Sequence, residues 1–187
     1  WSPTAWMMLN GQYMFEHNDS RSVSTWSAGM VFNLWKKKLQ LKGSMAYNYR
    51  FPSMNDMYWR PGGNPEVKPE KGYSYDASLT YRKKIHEYLL INAEVSGYLM
   101  YIDDWILWLP KDGNQWIWTP QNKRNVRSCG IELYGKATFH FQDFESSLSG
   151  NFNWSQSRTR KKQHPDDNSC MKQIPYVPRF KWNLHWN

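Results

Sequence analysis

Strict alternation of apolar and polar side chains, repeated in eight separate stretches, constrains the fold of this 187-residue chain more than any other feature. Residues two apart in a strand share a face, so a period of two marks a sheet with one oily side and one wet side. The plainest stretch has Leu89, Ile91, Ala93, Val95, Gly97, Leu99 and Tyr101 alternating with Asn92, Glu94 and Ser96. The same pattern is read over residues 9–15, 26–34, 39–50, 73–82, 131–141, 148–154 and 180–186. An all-β, antiparallel meander of eight long strands is therefore expected.

Period two fits either a soluble sheet with one buried face or a wall between hydrocarbon and a wet interior. Three features favour the wall. Connections alternate between short (36–38, 83–87, 142–143) and long (around His17, Pro61, Gly113 and Pro165), as in an outer-membrane barrel with tight periplasmic turns and long extracellular loops. The second face is polar throughout, with Glu94, Glu132, Lys136 and Asn151 at mid-strand. Tyr47, Tyr49, Tyr73, Tyr101 and Trp154 gather at the long-loop ends, where an aromatic girdle belongs. A girdle also gives a place to the 12 Trp and 12 Tyr.

A mean hydropathy of -0.83 is what a polar interior and polar loops produce. No apolar run approaches the roughly 20 residues of a membrane helix. The net charge of +8 is spread over strand ends and loops, including Lys36, Lys37, Lys38, Arg82, Lys83 and Lys84. That pattern points away from nucleic acid and toward solvated turns and acidic lipid headgroups. The chain opens at Trp1 without a basic n-region or cleavage site, so no signal peptide is expected within it. Its start at Ser2 and Pro3 and its stop at Asn187, inside an alternating run, suggest a consecutive piece of a larger barrel with residues 9–15 and 180–186 as open edges.

Between the third and fourth stretches lies a loop punctuated by Pro52, Pro61, Pro65 and Pro69 and by Gly62 and Gly63, in which neither a helix nor a ladder is expected to continue. Its sequence, Tyr49-Arg50-Phe51-Pro52, then Asn55-Asp56-Met57-Tyr58, then Gly63-Asn64-Pro65-Glu66-Val67-Lys68-Pro69-Glu70-Lys71, resembles the signature in the C-terminal half of TonB-dependent outer-membrane receptor barrels. Three later segments continue the resemblance in family order: Tyr101 to Ile106 before a long loop, Pro120-Gln121-Asn122 with Val126 and Gly130-Ile131-Glu132 at its return, and Pro175 to Lys181 at the next return. Met57 stands where Leu is commoner and Asp56 where Glu is usual. The resemblance implies part of a barrel of roughly 22 strands. It implies uptake of a scarce solute, an iron-siderophore or a cobalamin-like molecule, in the outer membrane of a Gram-negative bacterium. The implied surroundings are outer-membrane lipid and lipopolysaccharide, with the TonB complex acting through a plug domain. Nothing in this sequence resembles that plug, a TonB box or the closing strand.

Tyr58, Trp59 and Arg60 at the first loop tip are candidates for ligand binding, by stacking and by pairing with anionic oxygens. Packing of loop against loop is the competing role. Trp105, Trp108, Trp116 and Trp118 in the second long connection stand in the same position, with the girdle as a competitor for Trp105. Arg50, Asp76, Glu94, Glu132 and Lys136 belong to the polar face and either line a permeation path or pair with one another or with a plug. Cys129 and Cys170 are candidates for a disulfide on the extracellular side. His164, Asp166, Asp167 and Cys170 match no metal-site spacing, and the histidines form no catalytic constellation. The expectation is a transport protein, not an enzyme, with no cofactor, metal or nucleic acid. An ungated porin or adhesion barrel, which needs no plug, is one rival. A soluble glycan-binding β-sandwich, which would fold without detergent, is another.

Overall fold

The computed structural model describes residues 6–18, 21–35, 38–111, 113–123, 125–141, 144–160, 171–174 and 177–187. Among them ten strands appear in chain order: β1 (Met7–Asn18), β2 (Arg21–Leu34), β3 (Leu39–Arg50), β4 (Glu70–His86), β5 (Leu89–Asp103), β6 (Trp105–Lys111), β7 (Asn114–Lys123), β8 (Val126–His140), β9 (Glu145–Thr159) and β10 (Phe180–Trp186). One short helix, α1 (Met54–Tyr58), lies between β3 and β4. Eight of the strands form one antiparallel sheet in the order β1-β2-β3-β4-β5-β8-β9-β10. These are the eight alternating stretches of the sequence. β6 and β7 form a separate two-stranded sheet.

Register puts the apolar residues in continuous rows. One row runs Phe32, Leu41, Leu79, Val95, Leu133, Phe152 and Trp182 across seven strands. A second runs Tyr13, Trp26, Tyr47, Tyr73 and Tyr101 toward the long-loop end, with the Tyr47 and Tyr73 rings 5.1 Å apart. This second row is the expected girdle. Trp154 lies nearer the turn end, in the row of Ile131 and Gly97.

The sheet is staggered in one sense. β2 and β3 turn at the row of Leu34, Leu39 and Tyr81, whereas β4 runs on past that row to His86. At the opposite end β3 and β4 stay paired up to Arg50 and Glu70, while β9 and β10 already part at Trp154 and Phe180. Both ends therefore step toward the turns with chain order. A consistent step is what tilted barrel strands require, and it accounts for part of the displacement of Trp154.

No second layer covers the apolar rows among the described residues. Leu41, Leu79, Val95, Leu133 and Phe152 are exposed. Among the described residues the buried hydrophobic side chains are Val67, Ile106, Val126 and Ile174, together with Pro120, and they sit at the loop end, Val126 at the first position of β8 and the others outside the eight-stranded sheet. The face-to-face core of a soluble sandwich is absent from the described residues. The opposite, polar face is hollowed: Asn10, Lys42, Asp76, Ser78, Glu94 and Glu132 share one concavity of about 490 Å³. A larger groove of about 910 Å³ runs beside it, lined by Tyr134, Asn151, Asn153, Lys181 and Asn183.

Three local expectations need correction. The connection near His17 is tight, because β1 and β2 stay in register to Asn18 and Arg21 and the His17 imidazole Nδ1 lies 2.9 Å from the Ser22 hydroxyl. The proline-rich loop does hold a helical turn, α1, because Ser53 caps it. The second long connection is ordered as the β6–β7 hairpin. The turn expected at 142–143 lies outside the described residues.

If hydrocarbon covers the apolar rows, Leu133→Arg in the intact protein, reconstituted in phospholipid vesicles, should lower stability in urea titrations by about 2–4 kcal/mol. Ser78→Lys on the hollowed face should cost far less, and equal costs would remove the assignment of faces.

Candidate ligand-capture site at the loop end

The β6–β7 hairpin leaves and rejoins the sheet at two left-handed residues, Asp104 (φ 56) and Asn125 (φ 54). Asp and Asn tolerate that conformation better than other side chains, so these positions set where the hairpin folds away. Gly113 (φ 81) supplies the turn at its far end.

The loop before β4 is clamped onto this hairpin by carboxylates and amides. Ser53 caps α1: its hydroxyl accepts from the Asp56 N–H at 3.1 Å, and Asp56 Oδ2 accepts from the Ser53 N–H at 2.9 Å and hydroxyl at 2.8 Å. This is a reciprocal capping box. The other oxygen of the buried Asp56 accepts the Trp108 indole N–H at 3.0 Å, which joins α1 to β6. Burial alone would raise the Asp56 pKa. The Ser53 N–H and hydroxyl, the Trp108 indole and the Arg50 charge outweigh it and hold the carboxyl below its ordinary value.

Glu70, buried at the first position of β4, forms the second junction. It takes a two-pronged ion pair from Arg50 at 2.7 and 2.8 Å and accepts the Ile106 backbone N–H at 2.7 Å. Asn122 forms the third, bonding both backbone groups of Lys68 at 2.8 Å and the Asp104 carbonyl at 2.6 Å. Asn64 donates to the Pro120 carbonyl at 3.1 Å. Gly62 lets the two segments touch, since a Cβ there would collide with the Trp118 carbonyl. Loop and hairpin thus form one ordered body around Val67, Ile106 and Pro120.

Tyr58, Trp59, Arg60, Trp116 and Trp118 stand exposed on that body, Trp116 with 94% of its surface free. Trp105 is half-buried, and Trp108 is committed to Asp56. Five of the seven candidate contact residues are therefore open to a ligand. On the polar face, Asp76, Glu94 and Glu132 share one concavity, Glu94 accepting from the Thr80 hydroxyl at 3.1 Å and Glu132 from the Asn153 amide. Lys136 lies toward the turn end, in the row of Arg82, Asn92 and Ser149. Arg50 belongs to the clamp instead. Among the described residues Arg50 pairs with Glu70, the His140 Nε2 lies 3.2 Å from a Glu145 oxygen, and Asp76, Glu94, Glu132 and Lys136 form no ion pair with one another. Cys129 is free and half-buried, and Cys170, His164, Asp166 and Asp167 lie outside the described residues.

Sequence reasoning misses the roles of Asp56, Glu70, Asn64 and Asn122, although Ser53 and Asp56 spell the capping box and residues 112–114 read Asp-Gly-Asn, a hairpin signal. Among the described residues no helix is long and apolar enough to cross a membrane.

The family described as "TonB dependent receptor-like, beta-barrel" matches residues 1–187. The chain belongs to that family. Its sequence is 31% identical over 128 residues to the vitamin B12 transporter BtuB of Photobacterium profundum, covering 67% of this chain and 20% of that protein. It is 32% identical over 111 residues to the vitamin B12 transporter BtuB of Vibrio vulnificus, covering 59% and 17%. The chain thus spans a fifth or less of the curated relatives it matches. The structure of the copper transporter OprC superposes with a TM-score of 0.71 over 98% of this chain and 30% of OprC, at 17% identity, a likeness that concerns the fold. The TonB-dependent receptor-like family is one of receptors and transporters rather than enzymes, and this segment supplies a staggered stretch of its barrel wall.

Removing the clamp should loosen the hairpin. Asp56→Ala strands the Trp108 and Ser53 donors and should cost the loop end about 1–3 kcal/mol, read as faster hydrogen exchange across β6 and β7 with the sheet amides unchanged. Because Asp56 titrates below its usual value, its contribution is complete at every pH above 3.8 and fades as the pH falls through the depressed pKa. Exchange protection of the hairpin should be flat from neutral pH down to that point, and earlier loss would show that another group controls the clamp.

Proposed function

We propose that this chain is one wall segment of an outer-membrane receptor that captures a bulky scarce solute on its extracellular loops and passes it inward under TonB control. The solute is a corrinoid in preference to an iron-siderophore chelate. A plug domain elsewhere in the parent receptor gates the barrel and receives the pull of TonB. No bond is made or broken; the work is capture and gated passage.

One observation carries this reading: three exposed indoles, a phenol and a guanidinium stand on a support already fixed by buried polar contacts. Tyr58, Trp59, Trp116 and Trp118 suit the flat, largely apolar faces of a macrocycle, and Arg60 suits an anionic oxygen on the same molecule. Fixing the support in advance lowers the ordering cost of binding. The matches to two vitamin B12 transporters favour the corrinoid. Asp76, Glu94, Glu132 and Lys136 then line the passage, while Arg50 holds the loop. Family membership argues against an ungated porin.

The test uses the parent receptor in outer-membrane preparations. Labelled cyanocobalamin should bind, and Trp116→Ala with Trp118→Ala should weaken it about tenfold or more. Arg60→Gln should weaken it less. Binding of a ferric siderophore in place of cyanocobalamin would overturn the corrinoid assignment, and unchanged affinity in the tryptophan variant would overturn the loop tip.

A further inference from the structure

The outward, apolar face of the sheet ends at the loop side in a group of arginines that the transport function does not use. Tyr101, Arg127 and Arg158 occupy one row on β5, β8 and β9. By the period of two they share the face of Leu99, Ile131 and Phe152. Arg160 follows directly after β9; its backbone N–H is fixed to the Asn125 carbonyl at 2.7 Å, and its guanidinium sits 5.4 Å from the centre of the Tyr101 ring. Arg160 thus meets the girdle tyrosine, and Arg127 and Arg158 follow that tyrosine in the same row on the next two strands.

Like charges directly opposite across a ladder destabilise it, and Arg127 faces Arg158. Among the described residues no carboxylate forms an ion pair with any of the three. The acid nearest in register on that face, Asp103, stands opposite Lys71. The Arg158 Nε is shut off from solvent with no hydrogen-bond partner among the described residues. The arrangement is that of a site completed by an anion. Guanidinium groups match the forked oxygens of phosphate better than ammonium groups do.

Position decides which anion. The row continues the aromatic girdle, and below it stand the exposed Ile131, Leu133 and Phe152. A molecule meeting both has a phosphorylated head and acyl tails. Resting on the outer-membrane placement above, we propose that Arg127, Arg158 and Arg160 bind the phosphorylated headgroup of an outer-leaflet glycolipid, whose acyl chains lie against Leu99, Ile131 and Phe152. The site is distinct from the solute-capture residues, which stand on the clamped loop and hairpin.

The experiment is native mass spectrometry of the intact receptor in mild detergent with added bisphosphorylated lipid A, its dephosphorylated form, or inorganic phosphate. Wild type should retain the bisphosphorylated lipid, and Arg127→Gln with Arg158→Gln should reduce that retention at least tenfold. Removing the lipid phosphates should do the same, and inorganic phosphate at equal concentration should not displace the lipid. Lys38→Gln, at the turn end, should leave retention unchanged. Should the double variant fail to show the heat-modifiable mobility of a folded barrel, Arg160→Gln, outside the ladder, gives the same reading and should lower retention severalfold. Retention by folded variants equal to wild type, equal binding of the dephosphorylated lipid, or displacement by inorganic phosphate would each overturn the proposal. Cyanocobalamin binding on the same samples separates the outcomes, since the glycolipid effect stands whether or not the corrinoid binds. Absence of the wild-type receptor from outer membranes would instead remove the placement on which the site rests.

Discussion

Inside the eight-stranded sheet backbone donors and acceptors point sideways to a neighbouring strand, so apart from the outer edges of β1 and β10 only the two faces remain for contact with anything else. That constraint governs the molecule. The register admits no mixture: Phe32, Leu41, Leu79, Val95, Leu133 and Phe152 share a face, and a slip of one residue would turn the whole row over. In a sandwich a second sheet would cover such a row. Here no described element covers the rows, and a low-dielectric surrounding would cover them while leaving the ladder's backbone bonds intact.

At the loop end the constraint reverses. A segment that leaves the ladder must satisfy its backbone groups by other means, and an apolar core alone does not do so. The two segments here use side chains in place of a strand. Asn122 offers Lys68 a donor and an acceptor as a neighbouring strand would, and Glu70 accepts the Ile106 N–H while holding Arg50. These polar contacts surround a small apolar cluster and let it form outside the sheet. The exposed aromatics therefore stand on a fixed support although they belong to loops.

How much of this is legible in the sequence follows from the same division. The ladder strands write themselves as a period of two, and all eight are readable with their order. Their ends are not, because β4 runs from Glu70 to His86 through residues whose polarity is that of a turn. The β6–β7 hairpin hides for a different reason: Trp105 to Leu109 is an unbroken apolar run, half-buried on both sides against the loop, and Pro110 and Pro120 discourage a strand reading. A two-stranded ribbon tolerates those prolines because each faces an edge. Exposed Trp116 and Trp118 can be named by residue type alone. The clamp cannot, since the pairings of Asp56 with Trp108 and of Lys68 with Asn122 join residues more than fifty positions apart.

Charge shows how far composition can mislead without placement. The surplus of +8 suggests a polyanion, and the arginines at the loop rim do carry phosphate-seeking groups. Yet Arg127 and Arg158 share their face with Ile131 and Phe152, a wall that no duplex could approach without burying its own polar surface. At the centre of the hollowed face Asp76, Glu94 and Glu132 stand with Lys42, and none of them is in ion-pair range of a partner among the described residues. The same sequence thus places arginines at the rim of the apolar face and three acids beside Lys42 in the concavity, and the net charge, which averages the two, describes neither.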